Sequence, residues 1–355
     1  MPTRISYPSL HGLIMNHLVA VGCGVHDANT AAGALATTDA MGVFTHGSKL
    51  LSGYLKRLRG GGYRAQGEPK VLREGPAWAI VDGDSMLGQV GGIYCIDMAI
   101  EKANSTGIAY VGLRNTGHIG AAGIYAIEAA GRGCIALVTG NDTPSVAAPG
   151  SRRAVLGSNP LAMAIPVHGG DPILLDMATA AVAGGKVYAA HQRGEAIPPT
   201  WLIGPDGLPT TDAGLYPEHA ALAPMSAHKG YGLGLWCEVL SGILPGGRIT
   251  WEIGSWIFDP ADRPSGHNAG FILINPQVIG EPAEYDQKIA KLIAEIHAAP
   301  KADDVDEILL PGEREWRRFR HSFEHGIDLP DDVVAKLQEA SKFTGVAFPS
   351  SSPAV

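Results

Sequence analysis

A glycine-rich loop between an apolar strand and a helix constrains the fold of this 355-residue chain more than any other stretch. Residues 107–113 form an apolar run of strand type, the loop 114–123 contains three glycines, and residues 124–130 favour a helix. Glycines at such a junction let backbone N–H groups point at phosphate oxygens, and the helix N-terminus adds partial positive charge. The stretch predicts an α/β fold with an anion-binding turn, although close packing of the helix explains the glycines equally well.

Other apolar runs extend this unit into a longer series of strands and helices. We expect strands at 71–82, 134–139, 161–166, 173–175 and 271–274, and helices at 10–21, 27–41, 88–104, 233–244 and 286–297. Gly22-Cys23-Gly24 follows an amphipathic helix instead of a strand, so we interpret it as a turn and not as a dinucleotide fingerprint. Residues 201–211 predict a surface hairpin, and residues 245–269 predict a variable loop.

The composition excludes several classes of protein. A net charge of −8 argues against a nucleic-acid surface, and the one basic cluster, residues 314–320, is interpreted as a solvated helix face. The four cysteines are far apart without Cys-x-x-Cys spacing, which favours free thiols in a reducing cytoplasm. The N-terminus lacks an apolar signal-peptide core, and no run of about 18 apolar residues occurs. We therefore expect a cytoplasmic protein that binds no metal, nucleic acid or membrane.

Two histidines framed by glycines are the candidate reactive groups. His46 lies in Thr45-His46-Gly47, where a helical run gives way to small residues, and His118 lies in the glycine-rich loop. An imidazole titrates near neutral pH, which suits proton transfer in either direction. From the local pattern alone, Thr45 serves equally well as the cap of the helix that follows.

Two further stretches place polar groups at strand or helix ends. Asp176 directly follows an apolar strand, where its carboxylate suits a ribose hydroxyl, a backbone amide or the cap of the next helix. Lys229, among small residues before an apolar helix, suits a pyrophosphate contact or simple solvation. Residues 140–144 form a polar loop after a strand and are suited to lining a pocket.

Taken together, these motifs resemble the type-2 malate/lactate dehydrogenase family over roughly residues 8–340. The matching stretches, in the family's order, are Thr45-His46-Gly47, 115–123, 156–160, 176–179, 227–232 and 311–313. The family comprises NAD(P)-dependent oxidoreductases of 2-oxo acids and related compounds, including cyclic imino-acid reductases. Each motif is weak alone, and their joint order makes the resemblance specific.

The resemblance implies an α/β fold whose mixed sheet binds NAD or NADP without the usual Rossmann arrangement. It implies a helical lobe built from both chain ends, with residues 1–75 as its N-terminal part and 76–270 as the cofactor- and substrate-binding region. Residues 271–345 return to the helical lobe, and residues 346–355 form a tail. It also implies a homodimer that acts on a small 2-oxo acid, 2-hydroxy acid or imino acid.

By the same resemblance, His46 is the proton donor or acceptor, Thr45 orients it, and His118 is the rival donor. The implied cofactor contacts are His118, Ile119, Gly120, Ala121, Ala122, Asp176, Met177, Ala178, His228, Lys229, Pro311, Gly312 and Glu313. The implied substrate contacts are Lys49, Tyr54, Thr143 and Lys186.

The chain departs from the family pattern at two arginines. Leu50 stands where an arginine commonly clamps the substrate carboxylate, and Gly184 replaces a second common arginine. Lys49, Lys186 or Arg114 are the candidates to take over this charge. Three hypotheses follow: a 2-hydroxy/2-oxo acid dehydrogenase first, a cyclic imino-acid reductase second, and a nucleotide-binding relative without catalysis third.

Overall fold

A seven-stranded mixed sheet lies at the centre of the computed structural model, which describes residues 3–349. The strands are β1 Thr3–Ile5, β2 Lys70–Gly75, β3 Trp78–Asp82, β4 Ile108–Thr116, β5 Ile135–Asn141, β6 Val146–Ala147, β7 Ala154–Leu156, β8 Leu161–Ile165, β9 Ile173–Met177, β10 Leu202–Ile203, β11 Pro209–Thr210, β12 Ala221–Leu222, β13 His267–Ile274 and β14 Ile327–Leu329. The helices are α1 Tyr7–Ala20, α2 Val25–Ala40, α3 Leu51–Gly60, α4 Gly88–Thr106, α5 Gly123–Gly131, α6 Gly184–Arg193, α7 His228–Glu238, α8 Pro276–Ile279, α9 Pro282–His297, α10 Glu313–His325 and α11 Asp331–Thr344.

The order of strands in the large sheet is β2-β3-β4-β13-β5-β8-β9. Only β3 and β4 run parallel among these described strands, whereas every other neighbouring pair is antiparallel. The sheet is buried where apolar strand residues meet the helices, and Val111, Val138 and Phe271 are each 0% exposed. The predicted mixed-sheet α/β fold is therefore confirmed.

Strand β13 joins the two halves of this sheet, because it pairs with β4 on one side and β5 on the other. It begins at His267, so the expectation of a loop through residue 269 is wrong by three residues. The boundary expected at residues 270 and 271 falls inside this strand. The other boundaries stay predictions, and of the expected tail, residues 350–355 lie outside the described residues.

The two chain ends meet in a helical lobe. Strand β1 pairs antiparallel with β14, and α1, α2, α3 and α11 pack around a shared apolar core that includes Leu10, Leu51 and Leu337. Helix α1 starts at Ser6, whose hydroxyl accepts a hydrogen bond from the Ser9 backbone N–H at 3.3 Å. Gly22, with φ 98°, lies in the turn between α1 and α2, as the sequence predicts for Gly22-Cys23-Gly24.

A smaller five-stranded sheet, in the order β11-β10-β12-β6-β7, packs with α6 around a third apolar core. The hairpin expected at 201–211 is the antiparallel pair β10 and β11. Helix α7 begins at His228, five residues before the expected start, and it continues after Glu238 as a π-helical turn, Val239–Ile243. Across residues 3–349, no helix combines the length and apolar character that a membrane crossing requires.

Candidate active site

The structure brings the two predicted histidines together. The ring centroids of His46 and His118 are 6.1 Å apart. Thr45 Oγ1 lies 3.0 Å from His46 Nδ1, so the threonine hydroxyl contacts the imidazole. The alternative that Thr45 caps a helix is wrong, because Gly47 precedes the 3₁₀ turn Ser48–Leu50 and no side chain caps that turn.

His118 is held by aromatic neighbours on three sides. Its Nδ1 lies 2.8 Å from the hydroxyl of Tyr54, and its backbone N–H donates to the hydroxyl of Tyr63 at 3.0 Å. The indole of Trp256 stacks on the imidazole with a centroid distance of 4.8 Å and an interplanar angle of 16°. The ring orientation is therefore fixed by a hydrogen bond and by stacking, and Tyr54 lies in the site as predicted.

A carboxylate and a third histidine complete the cluster. Asp142 Oδ1 lies 3.0 Å from His267 Nε2 and accepts the Thr143 backbone N–H at 2.7 Å. The His267 ring meets that of His118 edge-on at 5.6 Å, and His267 is 1% exposed. Sequence reasoning noted Asp142 only within a polar loop and placed His267 in a variable loop. The two residues share a position at the same edge of the sheet. Asp142 directly follows β5, and His267 begins β13, which pairs with β5.

Burial and neighbouring charges determine the protonation of these groups. Burial acts to raise the pKa of Asp142, but the hydrogen bond and charge of His267 and the charge of His118 outweigh it and lower this pKa. Burial and the neighbouring imidazoles of His267 and His46 lower the pKa of His118 to about 3, against the opposing charge of Asp142. Burial also lowers the pKa of His46, and Asp142 opposes this shift. At neutral pH the cluster therefore holds an ionised carboxylate beside imidazoles whose burial favours their neutral form.

Trp256 reaches His118 because Arg57 holds the loop that carries it. The Arg57 guanidinium donates to five backbone carbonyls at 2.5–2.9 Å, and the residue is 2% exposed. The accepting carbonyls belong to Ser255, Trp256, Asp259, Pro260 and Arg263. A planar fork with five donors can satisfy several converging carbonyls at once. Nothing in the sequence pattern indicated this role for an arginine in the last turn of α3.

The basic side chains expected to bind substrate do not form a cluster around a common ligand. Two of them contact other parts of the protein, and the third forms no ion pair within residues 3–349. Lys49 Nζ lies 2.6 Å from Asp332 Oδ2 on α11, and Arg114 contacts Asp82 and the carbonyl of Gly246. Lys186 lies on α6 and forms no ion pair with another described residue. Each lysine and arginine from residue 45 to 64 donates to a carboxylate or carbonyl of another segment: Lys49, Lys56, Arg57, Arg59 and Arg64.

The two positions expected to carry arginine offer no cationic clamp. The side chain of Leu50 packs against the core of the helical lobe. At Gly184, an added Cβ would lie 2.7 Å from the hydroxyl of Tyr216, so this tyrosine occupies the space that a side chain would need. At these two positions the chain is therefore less basic than the motif resemblance implies.

Several predicted cofactor residues line one cavity of about 220 Å³ beside the His46 turn. Ala121, Asp176, Pro311 and Gly312 all contribute to its wall. Asp176 Oδ2 accepts the backbone N–H of Gly123 at 2.9 Å, which fulfils the backbone-amide alternative and caps α5 from a neighbouring strand. Burial raises the pKa of Asp176 to about 6, and the hydrogen bond from Gly123 opposes this shift.

This cavity fits part of a dinucleotide. Its volume is below the roughly 300–1,000 Å³ of complete small-molecule sites, and its wall combines apolar groups with one carboxylate and a helix N-terminus. Gly123 leaves room for the Asp176 carboxylate, since an added Cβ would lie 2.7 Å from Asp176 Oδ2. A larger cavity, of about 610 Å³, lies near His168 and Arg320 and contains none of the clustered groups.

The remaining predicted cofactor residues differ in how near they lie to this cavity. Ile119 and Ala122 are buried, and Gly120 lies close to the His46 carbonyl. Met177 and Ala178 lead into Thr179, whose carbonyl accepts the Met225 N–H before α7, so His228 and Lys229 lie near this segment on an exposed helix start. Glu313 turns back to accept the Leu310 N–H and pairs with His297, away from the cavity.

Comparisons with known proteins agree with this fold. The model of the malate/L-lactate dehydrogenase family matches residues 5–338. The chain is 35% identical to malate dehydrogenase of Pyrococcus horikoshii over 350 residues, which covers 97% of this chain and 96% of that protein. The structure of malate dehydrogenase from Entamoeba histolytica matches with a TM-score of 0.91 and 27% identity, covering 99% and 100% of the two chains. The structure of delta1-piperideine-2-carboxylate reductase from Pseudomonas syringae pvar. tomato matches with a TM-score of 0.85 and 29% identity, covering 95% and 99%.

These matches define the class of the protein as an oxidoreductase with a mixed-sheet fold. The chain belongs to the malate/L-lactate dehydrogenase family, as the order of its motifs predicts.

Proposed function

We propose that the protein transfers a hydride between NAD or NADP and a small 2-hydroxy or 2-oxo acid, with His46 as the proton donor and acceptor. The observation that carries this proposal is the pair His46 and His118, with ring centroids 6.1 Å apart beside an ionised Asp142. A carbonyl that accepts a hydride develops negative charge on oxygen and needs a nearby proton. The cluster offers that proton on an imidazole.

The residues around Asp176 are proposed to hold the cofactor. The nicotinamide supplies or accepts the hydride when the cofactor is bound. Asp176 caps the N-terminus of α5 through the Gly123 N–H, and its carboxylate is proposed to accept a hydrogen bond from a ribose hydroxyl. Val43 links this wall to the catalytic turn, because its carbonyl accepts the His46 backbone N–H at 3.0 Å.

His46 and His118 are proposed to have different roles. His118 has a pKa of about 3 and is neutral at physiological pH, so it acts as a fixed hydrogen-bonding group next to the substrate carbonyl. The charge of Asp142 favours the cationic form of His46, and His46 is proposed to carry the proton. Thr45 orients His46 through its contact with Nδ1, and Tyr54 orients His118.

A cyclic imino acid is the second candidate substrate, and the charge of the site favours it. Asp142 is ionised and partly exposed beside the His267 imidazole, and neither arginine expected near the substrate is present. A protonated imine carries the positive charge that such a site stabilises, whereas a dicarboxylate meets a carboxylate without a matching cation. Thr143 and Lys186 stay the proposed contacts for the single carboxylate of either substrate.

A panel of substrates tests this function. Pyruvate, oxaloacetate and piperideine-2-carboxylate are each incubated with NADH and with NADPH, and oxidation of the nicotinamide is followed by absorbance. We expect turnover with a monocarboxylic substrate and at least tenfold lower kcat/KM with oxaloacetate. Binding of NADH and NADPH is measured in parallel by fluorescence. Binding without turnover of any substrate would contradict the catalytic proposal and favour a nucleotide-binding protein without catalysis.

We also propose that the protein is a homodimer, because seven large apolar side chains that lie close in sequence, between residues 235 and 258, are exposed. Trp236 is 64% exposed and Phe258 is 70% exposed. The other exposed members are Leu235, Ile243, Leu244, Trp251 and Ile257. Large exposed apolar side chains in such number indicate a candidate interaction surface. The four free, buried cysteines support the proposed cytoplasmic location.

Trp236→Glu is expected to convert the dimer into a monomer, because a carboxylate would be buried without a partner in an apolar interface. Size-exclusion chromatography with light scattering measures the mass. Val25→Glu is the matched control, since Val25 is 67% exposed but lies at the start of α2, outside this surface. A wild-type mass of one chain, or an unchanged dimer in Trp236→Glu, would contradict the assignment.

A further inference from the structure

A buried carboxyl group lies directly beneath the turn that presents His46. Asp39 is in the last turn of α2 and is 0% exposed. Its Oδ2 accepts a hydrogen bond from the backbone N–H of Ser48 at 2.9 Å. Its Oδ1 has no hydrogen-bond partner in the described residues, and the same holds for the hydroxyl of Ser48.

The backbone of the turn at Gly47 and Ser48 contacts this carboxyl group. A Cβ added to Gly47 would lie 1.8 Å from Asp39 Oδ1, so only glycine fits between the carboxyl group and the turn. The φ of Gly47 is −90°, which other residues also adopt, so the reason for glycine here is space and not backbone strain. His46 and Ser48 flank Gly47, so the carboxyl group contacts the same short turn that carries the imidazole.

We propose that Asp39 is a positioning residue for His46, which it places by holding the backbone of Gly47 and Ser48. The inference rests on the proposed catalytic role of His46. A buried backbone N–H that loses its acceptor has to find another partner, which would move the turn. A displacement of about 1 Å at a reacting group lowers the rate by about 10²-fold.

The charge state of Asp39 gives a second way to recognise this contact. Burial raises the pKa of Asp39 to about 7, and the hydrogen bond from the Ser48 backbone N–H opposes the shift. The titratable groups on the surrounding elements are His46 and Lys49 on the turn, Asp332 on α11, Glu315 and Arg318 on α10, and His11 on α1. None of them forms an ion pair with Asp39 within residues 3–349.

The sign of the resulting pH effect follows from the raised value. The pKa of a carboxyl group in the unfolded chain is about 3.9, so Asp39 favours folding while it is protonated. This contribution is lost as the pH rises from about 4 through about 7. Asp39→Asn cannot ionise, so the difference in Tm between this variant and the wild type is expected to grow in the variant's favour over that pH range.

Three variants test the positioning role. Asp39→Asn keeps an oxygen that accepts the Ser48 N–H, and we expect kcat within about threefold of the wild type. Asp39→Leu has similar size without an acceptor, and Gly47→Ala forces the turn away from the carboxyl group. For both we expect kcat about 10- to 100-fold lower with unchanged NADH affinity. Thr37→Val is the control in α2, because Thr37 bonds Tyr7 on α1 and not the turn.

NMR of the imidazole resonances provides a readout that does not depend on turnover, with the His46 signals assigned from their loss in His46→Gln. We expect these signals to shift in Asp39→Leu and Gly47→Ala but not in Asp39→Asn or Thr37→Val. If Asp39→Leu does not fold, Gly47→Ala decides the question. Unchanged His46 resonances and kcat in a folded Asp39→Leu or Gly47→Ala would overturn the proposal. Absence of all turnover would contradict the proposed function and leave the NMR result as the test of Asp39.

Discussion

Replacing His46 by glutamine is expected to lower kcat by about 10²–10⁴-fold, the usual contribution of a general acid or base. Glutamine keeps hydrogen-bonding capacity at this position but cannot transfer a proton. The dissociation constant of NADH, measured by fluorescence, is expected to stay within about twofold. His26→Gln is the matched control, because His26 is exposed near the start of α2.

The proposed role of His46 also predicts the direction in which kcat/KM changes with pH. In the direction of reduction His46 has to be protonated, so kcat/KM is expected to fall as the pH rises through its pKa. Burial lowers this pKa from the usual value of about 6.5, so the midpoint in the free enzyme lies below that value. In the direction of oxidation the same group has to be neutral, and the rate rises with pH over the same range.

The rival assignment is decided by the same measurements on His118→Gln. We expect this variant to lower kcat less than His46→Gln and to keep the pH-dependent limb, because the pKa of His118 is about 3. If His118→Gln removes the limb and His46→Gln keeps it, His118 is the proton donor and our assignment is wrong.

Replacing Arg57 by lysine is expected to destabilise the protein and to lower kcat at least tenfold, although the charge is kept. A lysine has three donors on one atom and cannot reach the five carbonyls that the guanidinium holds. Several buried carbonyls would lose a charged donor, at about 1–3 kcal/mol each for an unpaired group, with partial compensation by water. We expect the free energy of unfolding to fall by about 2–5 kcal/mol, measured by urea denaturation.

We expect Arg57→Lys to lower activity because the variant displaces Trp256. A relaxed loop would withdraw the indole that stacks on His118, so Trp256→Phe should reproduce part of the loss in kcat without the loss in stability. Arg59→Lys is the control on the same helix, because Arg59 is exposed and contacts the carbonyl and ring of Phe343. Equal stability of Arg57→Lys and Arg59→Lys would contradict the role given to Arg57.

There is a physical reason why the sequence predicted some residues of the site and missed others. His46 and His118 carry local signals, since glycines and hydroxyl residues next to them are visible in the sequence. Asp142 and His267 are 125 positions apart and meet only because β5 and β13 pair in register at Asn141 and Asn268. Strand pairing over that separation depends on the whole sheet, which local periodicity does not encode.

The early start of α7 has a similar explanation. Residues 229–232 contain two glycines and favour a loop by propensity, yet they form the first turn of the helix. A Cβ added to Gly230 would lie 2.3 Å from the Met225 carbonyl and 2.7 Å from the Thr179 carbonyl, so close packing needs the glycine here. Tertiary contact therefore outweighs intrinsic propensity at this position.

The sequence by itself determined the α/β class, the glycine-rich turn after β4, the order of the family motifs and the two histidines. These depend on residues that are adjacent in the chain or spaced by one helix or strand period. Only the tertiary structure decided that Lys49 turns to Asp332, that Arg57 holds the Trp256 loop, and that Asp142 is ionised beside His267. The reason is that burial and charge pairing depend on segments far apart in the chain, which become neighbours only when the sheet and the helical lobe are assembled.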